Sequence, residues 1–343
     1  MNSSNSLYPW QQPTWQRIRT MRSKLPHALL ISGKAGIGKL EFAQNLAKSL
    51  LCIHLESAGA ACNLCSNCTW FNEGTHPDFR LINPDQDTDN VTDEAPSTKK
   101  TAKKSVVIKI EQIRELNQFL ALSNHQHNGL RIVLMCPAEA LNLASANALL
   151  KMLEEPPQST IFLLVSHQPQ RLLPTIISRC QVVDMPMPSE SEAVDWLKNQ
   201  GVKHATSQLS YAGGSPLLAL KQAEEGAWIS LAQSLSAGVK LNPFTSAPLF
   251  LGASLSASMD FALTALQKWC CDLLSYKLSE QVRYHVEYTS ALQALSKSVN
   301  LNLLLDFNTE LIYAKKMANH PLNNELQLEN ILLRYTQLFD IKR

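Results

Sequence analysis

The sequence predicts an α/β domain built on a parallel sheet, followed by an all-helical second half. Three observations carry that prediction. The stretch from Arg131 to Cys180 holds an apolar run at Ile132–Met135, an Ala/Leu/Asn-rich helix over Leu141–Glu154 stopped by Pro156-Pro157, and a second apolar run at Ile161–Val165. Strand, helix and strand at that spacing form a βαβ unit. The proline pair ends the helix because proline lacks a donor and disfavours the α region in the residue before it. Earlier, a short buried strand at His27–Ile31 runs into a glycine-rich loop, Gly33–Leu40, and then into a helix from about Lys39 to Leu51. From Pro216 onward the chain has helical periodicity, with a break near Asn242–Pro248 and an apolar stripe at Leu328, Ile331, Leu332, Tyr335 and Leu338.

At 343 residues the chain has room for two or three domains. Its hydrophobic and charged fractions fit an ordinary soluble globular protein. A net charge of +2 is no broad nucleic-acid footprint, so any contact with DNA is local or shared with partners. Met1–Lys24 has no unbroken apolar core for a secretory signal, and no apolar run is long enough to span a bilayer. The expected compartment is the cytoplasm, with no membrane partner. There the eight cysteines stay reduced, and a cysteine cluster points to metal rather than to disulfides.

Taken in order, Leu7–Lys24 is an entry loop and a helix that Trp10 and Trp15 anchor to the domain. The octet Gly33-Lys-Ala-Gly-Ile-Gly-Lys-Leu40 fits G-x-x-x-x-G-K but ends in Leu40, where a working phosphate-binding loop has Ser or Thr. Gly33, Gly36 and Gly38 let backbone amides face a phosphate at a helix N-terminus, and Lys39 is placed to meet it. Without a hydroxyl at position 40, Mg²⁺ loses its usual protein ligand. The loop is either a nucleotide site or a relic kept for its turn geometry. Cys52, Cys62, Cys65 and Cys68 follow with spacing C-x9-C-x2-C-x2-C. Four thiolates so close suit one tetrahedral Zn²⁺, and a set without an open position is structural rather than catalytic. Three cysteines at such intervals also occur in iron–sulfur proteins. His54 and His76 lie nearby as bystanders, and Cys136, Cys180, Cys270 and Cys271 are expected as small core residues. Pro84–Lys104, acidic and then basic with few large apolar residues, is expected as a flexible insertion. Order resumes from Val106, with a helix that carries Ile113, Leu116 and Leu120 on one face.

The words Ala148-Leu-Leu-Lys-Met-Leu-Glu-Glu-Pro-Pro157 and Ser178-Arg179-Cys180 are more specific than any periodicity. With Tyr8-Pro-Trp-Gln-Gln-Pro13 and the Pro137-Ala-Glu variant, they make the chain resemble the bacterial clamp-loader ATPases, the AAA+ subunits of the DNA polymerase III holoenzyme. The resemblance implies a RecA-like AAA+ P-loop domain with a zinc module over 1–165, a small helical lid domain over 166–212 and a C-terminal helical collar over 213–343 that packs into a ring. It implies Zn²⁺ on the four cysteines, because such subunits carry a similar four-cysteine knob. It also implies that Arg179 reaches across a subunit boundary to a neighbour's ATP. The partners implied are the tau/gamma and delta subunits, and through them the sliding clamp and primed DNA.

Three departures from the family pattern bear on ATP hydrolysis. Leu40 replaces the P-loop hydroxyl, Cys136-Pro137 stands where an ATPase has Asp-Glu after the strand, and Leu217 stands where the second sensor segment has an arginine. Neither Cys nor Pro can bind magnesium or act as a base toward water. The expectation is a subunit of the DNA-directed polymerase holoenzyme with no ATPase of its own and low ATP occupancy of its loop, serving as a stator with a trans arginine. The rivals are an active tau/gamma-type motor, supported by Lys39; a stand-alone zinc-dependent DNA-binding module, which the near-neutral charge disfavours; and a P-loop kinase, for which no catalytic acid is found. Asn147 and Lys151 sit on the helix before the proline pair, either facing a partner or DNA, or with Asn147 bonding the backbone and Lys151 solvated.

Overall fold

The computed structural model describes residues 7–56, 58–84, 107–121, 129–252, 259–317 and 323–339. The insertion expected at Pro84–Lys104 lies, from Asp85 on, outside them. The chain divides into two compact units, Met1–Met187 and Pro188–Arg343.

In the first unit, α1 (Gln12–Thr20) precedes β1 (Ala28–Ser32), α2 (Lys39–Leu51), α3 (Ser66–Glu73) and β2 (Phe79–Ile82). Then come α4 (Ile110–Ala121), β3 (Arg131–Met135), α5 (Leu143–Glu154), β4 (Thr160–Ser166), α6 (Pro174–Ile177) and β5 (Gln181–Asp184). The five strands lie in the order β2-β3-β4-β1-β5, and every pairing is parallel. β1, β3 and β4 are buried throughout, as strands covered on both faces must be. Alternation divides their side chains between two cores. Leu30, Val133, Met135, Phe162 and Leu164 pack with Ile113, Leu116, Leu149 and Ile176 of α4, α5 and α6. Leu29, Ile31, Ile132, Leu134, Leu163 and Val165 pack with Trp15, Ile18, Phe42 and Leu46 of α1 and α2. By sequence the first domain ends at residue 165; in the structure β5 pairs with β1 inside the first unit.

The second unit is helical among its described residues: α7 (Glu190–Asn199), α8 (Ala205–Tyr211), α9 (Pro216–Glu225), α10 (Ala227–Ser236), α11 (Pro243–Gly252), α12 (Met259–Ser279), α13 (Thr289–Ser298), α14 (Leu301–Met317) and α15 (Asn324–Thr336). It has two cores. A small one gathers Ala193, Val194, Leu197, Leu209 and Ala219 of α7–α9. A larger one joins Trp228, Leu235, Phe250, Leu266, Trp269, Leu292, Phe307 and Leu332. The expected break at Asn242–Pro248 shrinks to a short turn, because Asn242 Oδ1 accepts the Phe244 N–H and α11 starts at Pro243, a position where the missing proline donor is harmless. The stripe Leu328, Ile331, Leu332, Tyr335 and Leu338 is wholly buried and therefore core. Tyr335 Oη donates to the Leu235 carbonyl at 2.8 Å and accepts from Trp269 Nε1 at 2.8 Å. Asp272 and His285 form a buried pair at 2.8 Å, and the Asp272 carboxylate also accepts N–H groups of Arg283, Tyr284 and His285.

Candidate functional site

Three features of the first unit carry chemistry: the glycine loop, the cysteine cluster and the Arg179 edge. The loop is set by backbone geometry. Gly36 and Gly38 have φ of 78° and 83°, in the left-handed region that favours glycine. A Cβ on Gly38 would come within 2.5 Å of the Tyr8 ring and 2.7 Å of Gln11 Nε2, so the segment before α1 presses directly on the loop. Gln11 Nε2 donates to the Ile37 and Gly38 carbonyls at 3.1 and 2.7 Å, and Trp10 Nε1 donates to the Ile37 carbonyl at 2.9 Å. Trp10, expected as a plain anchor, thus fastens the loop itself.

Lys39 does not reach outward. It is 2% exposed, and Nζ donates to the carbonyls of Gly33 and Lys34 at 2.7 and 2.5 Å. Burial pulls its ammonium down to about 8, against the pull of Cys136, Glu139 and Glu41. Cys136 is buried, and burial, with Glu139 nearby, pushes its thiol up to about 11, so at neutral pH it offers neither charge nor base. Leu40 is half-buried against the core behind the loop. Glu139 holds the end of β4: its Oε1 accepts the His167 N–H at 2.9 Å, while Oε2 is buried without a partner. Burial, and then Lys39, lowers the His167 imidazole, which is therefore neutral at physiological pH. The loop keeps the shape of a phosphate cradle, but its lysine is turned onto its own backbone and the strand beside it ends in a thiol.

The cysteine cluster sits where α2 ends and α3 begins. The Sγ atoms of Cys52, Cys62, Cys65 and Cys68 all lie within 4.8 Å of one another, with Cys52 3.5 Å from Cys62 and 3.8 Å from Cys65. A tetrahedral ion with Zn–S bonds of about 2.3 Å needs sulfurs about 3.8 Å apart, so the group fits. Main-chain N–H groups already point at the sulfurs: Cys62 N to Cys52 Sγ at 3.3 Å and Cys65 N to Cys62 Sγ at 3.4 Å. Burial acts to raise the Cys65 thiol, but N–H groups of Ile53 and Cys68 and the neighbouring thiols bring it down to about 6. Lys48, nearly buried, bonds to Asn63 Oδ1 and exerts its charge on all four sulfurs. Asn67 Nδ2 ties α3 back to the Leu51 carbonyl at 2.7 Å. Neither His54 nor His76 belongs to the group; His76 is buried and accepts the Asp78 N–H on Nδ1. The four cysteines can hold a structural metal such as zinc.

Arg179 follows α6, a single turn that begins at Pro174 and buries Ile176 in the core. Its N–H closes onto the Ile176 carbonyl at 3.1 Å. The guanidinium is one-third exposed; Nη1 donates to the Thr175 carbonyl at 3.0 Å and Nη2 meets Glu154 Oε1 at 2.6 Å. Asn147 and Lys151 of α5 are exposed. Leu217 is half-buried on α9, in the second unit. Among the described residues no helix is long and apolar enough to cross a membrane. Sequence reasoning missed the roles of Gln11, Lys48 and Glu154. The signal for Glu154 was there, since a carboxylate closing a helix sits at the wrong end of its dipole.

The model of the family described as "DNA polymerase III, delta subunit" matches residues 10–189. The DNA polymerase III subunit delta' of Pseudomonas aeruginosa is 34% identical over 97% of this chain and 98% of its own. That of Haemophilus influenzae is 34% identical over 64% of this chain and 63% of its own. A solved structure of a DNA polymerase III gamma subunit-related protein from Thermotoga maritima aligns with 95% of this chain and 99% of its own at 19% identity, with a TM-score of 0.45.

Proposed function

We propose that this chain, which belongs to the DNA polymerase III delta' subunit family, is the non-hydrolysing stator of the clamp loader and presents Arg179 to ATP bound by a neighbouring subunit. The observation that carries the reading is the end of β3 beside the loop: Cys136 is buried there, and burial pushes its thiol up to about 11, so it supplies neither a magnesium ligand nor a base. Leu40, Cys136 and Leu217 stand where an ATPase has its hydroxyl, its acid and its sensor arginine. By contrast, Arg179 is held on a firm turn with its guanidinium partly open to solvent. An arginine delivered in trans stabilises the charge that develops as the γ-phosphoryl group transfers, and can be worth about three to five orders of magnitude at its site.

The partners in this reading are the tau/gamma and delta subunits, and through them the sliding clamp and primed DNA. Cys52, Cys62, Cys65 and Cys68 would hold Zn²⁺ as a closed structural set. In place of the lid expected over 166–212 and the collar over 213–343, this reading takes α7–α9, which share a separate small core, as the lid and the helices beyond as the collar. Gly33, Gly36, Gly38 and Lys39 form a degenerate nucleotide loop of low expected occupancy.

The second reading, an ATP-hydrolysing motor of the tau/gamma type, draws on Lys39 and on the unpartnered buried oxygen of Glu139. Nucleotide binding and ATP turnover of the purified chain, alone and assembled with tau/gamma, separate the two. The stator reading expects no turnover alone, and in the assembly a DNA-stimulated rate and clamp loading that fall with Arg179→Ala while assembly is unchanged. Hydrolysis by the isolated chain, or normal loading by the Arg179→Ala assembly, would sink it.

A further inference from the structure

We infer that Glu154 is a positioning residue for Arg179, fixing the orientation of the guanidinium before a neighbour's nucleotide arrives. The inference rests on the arginine-finger reading above and names what aims the finger. Glu154 Oε1 lies 2.6 Å from Arg179 Nη2, and the Thr175 carbonyl accepts from Nη1 at 3.0 Å. The guanidinium has five N–H donors, so two anchors fix its plane and leave three donors for an oxyanion. A free arginine side chain samples many rotamers and is worth less to a transition state than a preset one.

Two further observations favour this role over a chance surface pair. Glu154 is the last residue of α5, where the helix dipole presents its negative end and a carboxylate is disfavoured. A local rule broken without local gain marks residues held for another purpose. Both members of the pair also stand on one core: Leu153, next to Glu154, packs with Leu172 and Ile176, and Ile176 carries the turn that ends in Arg179. The side chains are 49% and 34% exposed, so the pair is open to an approaching subunit.

The test uses the full assembly with Glu154→Ala, Glu154→Asp, Arg179→Ala and the Glu154→Ala/Arg179→Ala double variant, reading DNA-stimulated ATP hydrolysis over a range of ATP concentrations. Glu154→Ala is expected to lower the Arg179-dependent part of kcat about three- to tenfold with KM unchanged. Glu154→Asp should recover most of it, and in the Arg179→Ala background Glu154→Ala should cost nothing more. A purely structural role would lower the rate in both backgrounds. An additive loss therefore overturns the proposal, and so does an unchanged or raised rate with Glu154→Ala while Arg179→Ala is defective. A normal rate with Arg179→Ala is a different result: it removes the finger reading, and the role of Glu154 with it.

Discussion

The glycine loop and the cysteine cluster stand at opposite ends of α2 and differ in what they have kept. The loop has its backbone: the left-handed glycines, the strand behind it and the helix after it are all in place. Its side chains are another matter: Lys39 bonds to its own turn, and the strand beside the loop ends in the buried thiol of Cys136. The cluster is the reverse. It has little regular structure of its own, yet all four donors converge, and N–H groups and Lys48 surround them with positive charge. Shape alone survives where packing demands it, because Tyr8, Trp10 and Gln11 need the loop to grip. Convergent donors in an irregular segment have no such structural reason and point to a ligand.

The sharpest way to break this comparison is to remove one sulfur. Cys65→Ser, or a strong chelator, should destabilise the first unit by several kcal/mol, since structural zinc contributes folding energy directly. Metal content and the melting temperature read the effect together; unchanged values for both would return the cluster to four unrelated thiols. An intermediate effect belongs to the loop. Lys39 has a folded pKa near 8 against an ordinary 10.5, so between those values the unfolded chain holds a proton that the folded chain has released. Stability should therefore rise with pH across that window, by about 1–2 kcal/mol after screening by solvent, and not below it. Lys39→Met should flatten that rise in chemical denaturation at pH 8 and pH 10. The cluster should respond in the same sense, losing stability as acid protonates the thiolates and displaces metal, but through metal content rather than through Lys39. The smallest expected effect is on function: Lys39→Met assemblies should hydrolyse ATP and load clamps within about twofold of the unsubstituted assembly. In a P-loop motor the same lysine contacts the transferring phosphates, so a severe loss would restore the motor reading.

Much of this was legible in the residues. Apolar runs at Ile132–Met135 and Ile161–Val165 gave strands buried on both faces, and Ile113, Leu116 and Leu120 gave the buried face of α4. The cysteine spacing gave the cluster, because three of its ligands lie within one turn and helix. What stayed hidden depends on distance along the chain. Nothing near Gln11 announces that its amide bonds to carbonyls at Ile37 and Gly38, and the odd carboxylate closing α5 at Glu154 does not say that its partner is Arg179. The inward turn of Lys39 was also invisible, since a motif specifies where a lysine begins and not where its amine rests. The break expected at Asn242–Pro248 failed for a local reason: Pro243 starts a helix as readily as it ends one.

The strand order has a bearing on how the molecule is made. β1 leaves the ribosome well before its neighbours in the sheet, which are β4 and β5: Ala28 lies beside Phe162, and Leu29 beside Gln181. During synthesis an apolar strand must wait, both edges open, until the end of the first unit has emerged, and waiting strands of this kind are where nascent chains associate wrongly. A recombinant fragment ending at residue 165 would freeze that state by leaving one edge of β1 bare. One ending after Met187 would close it.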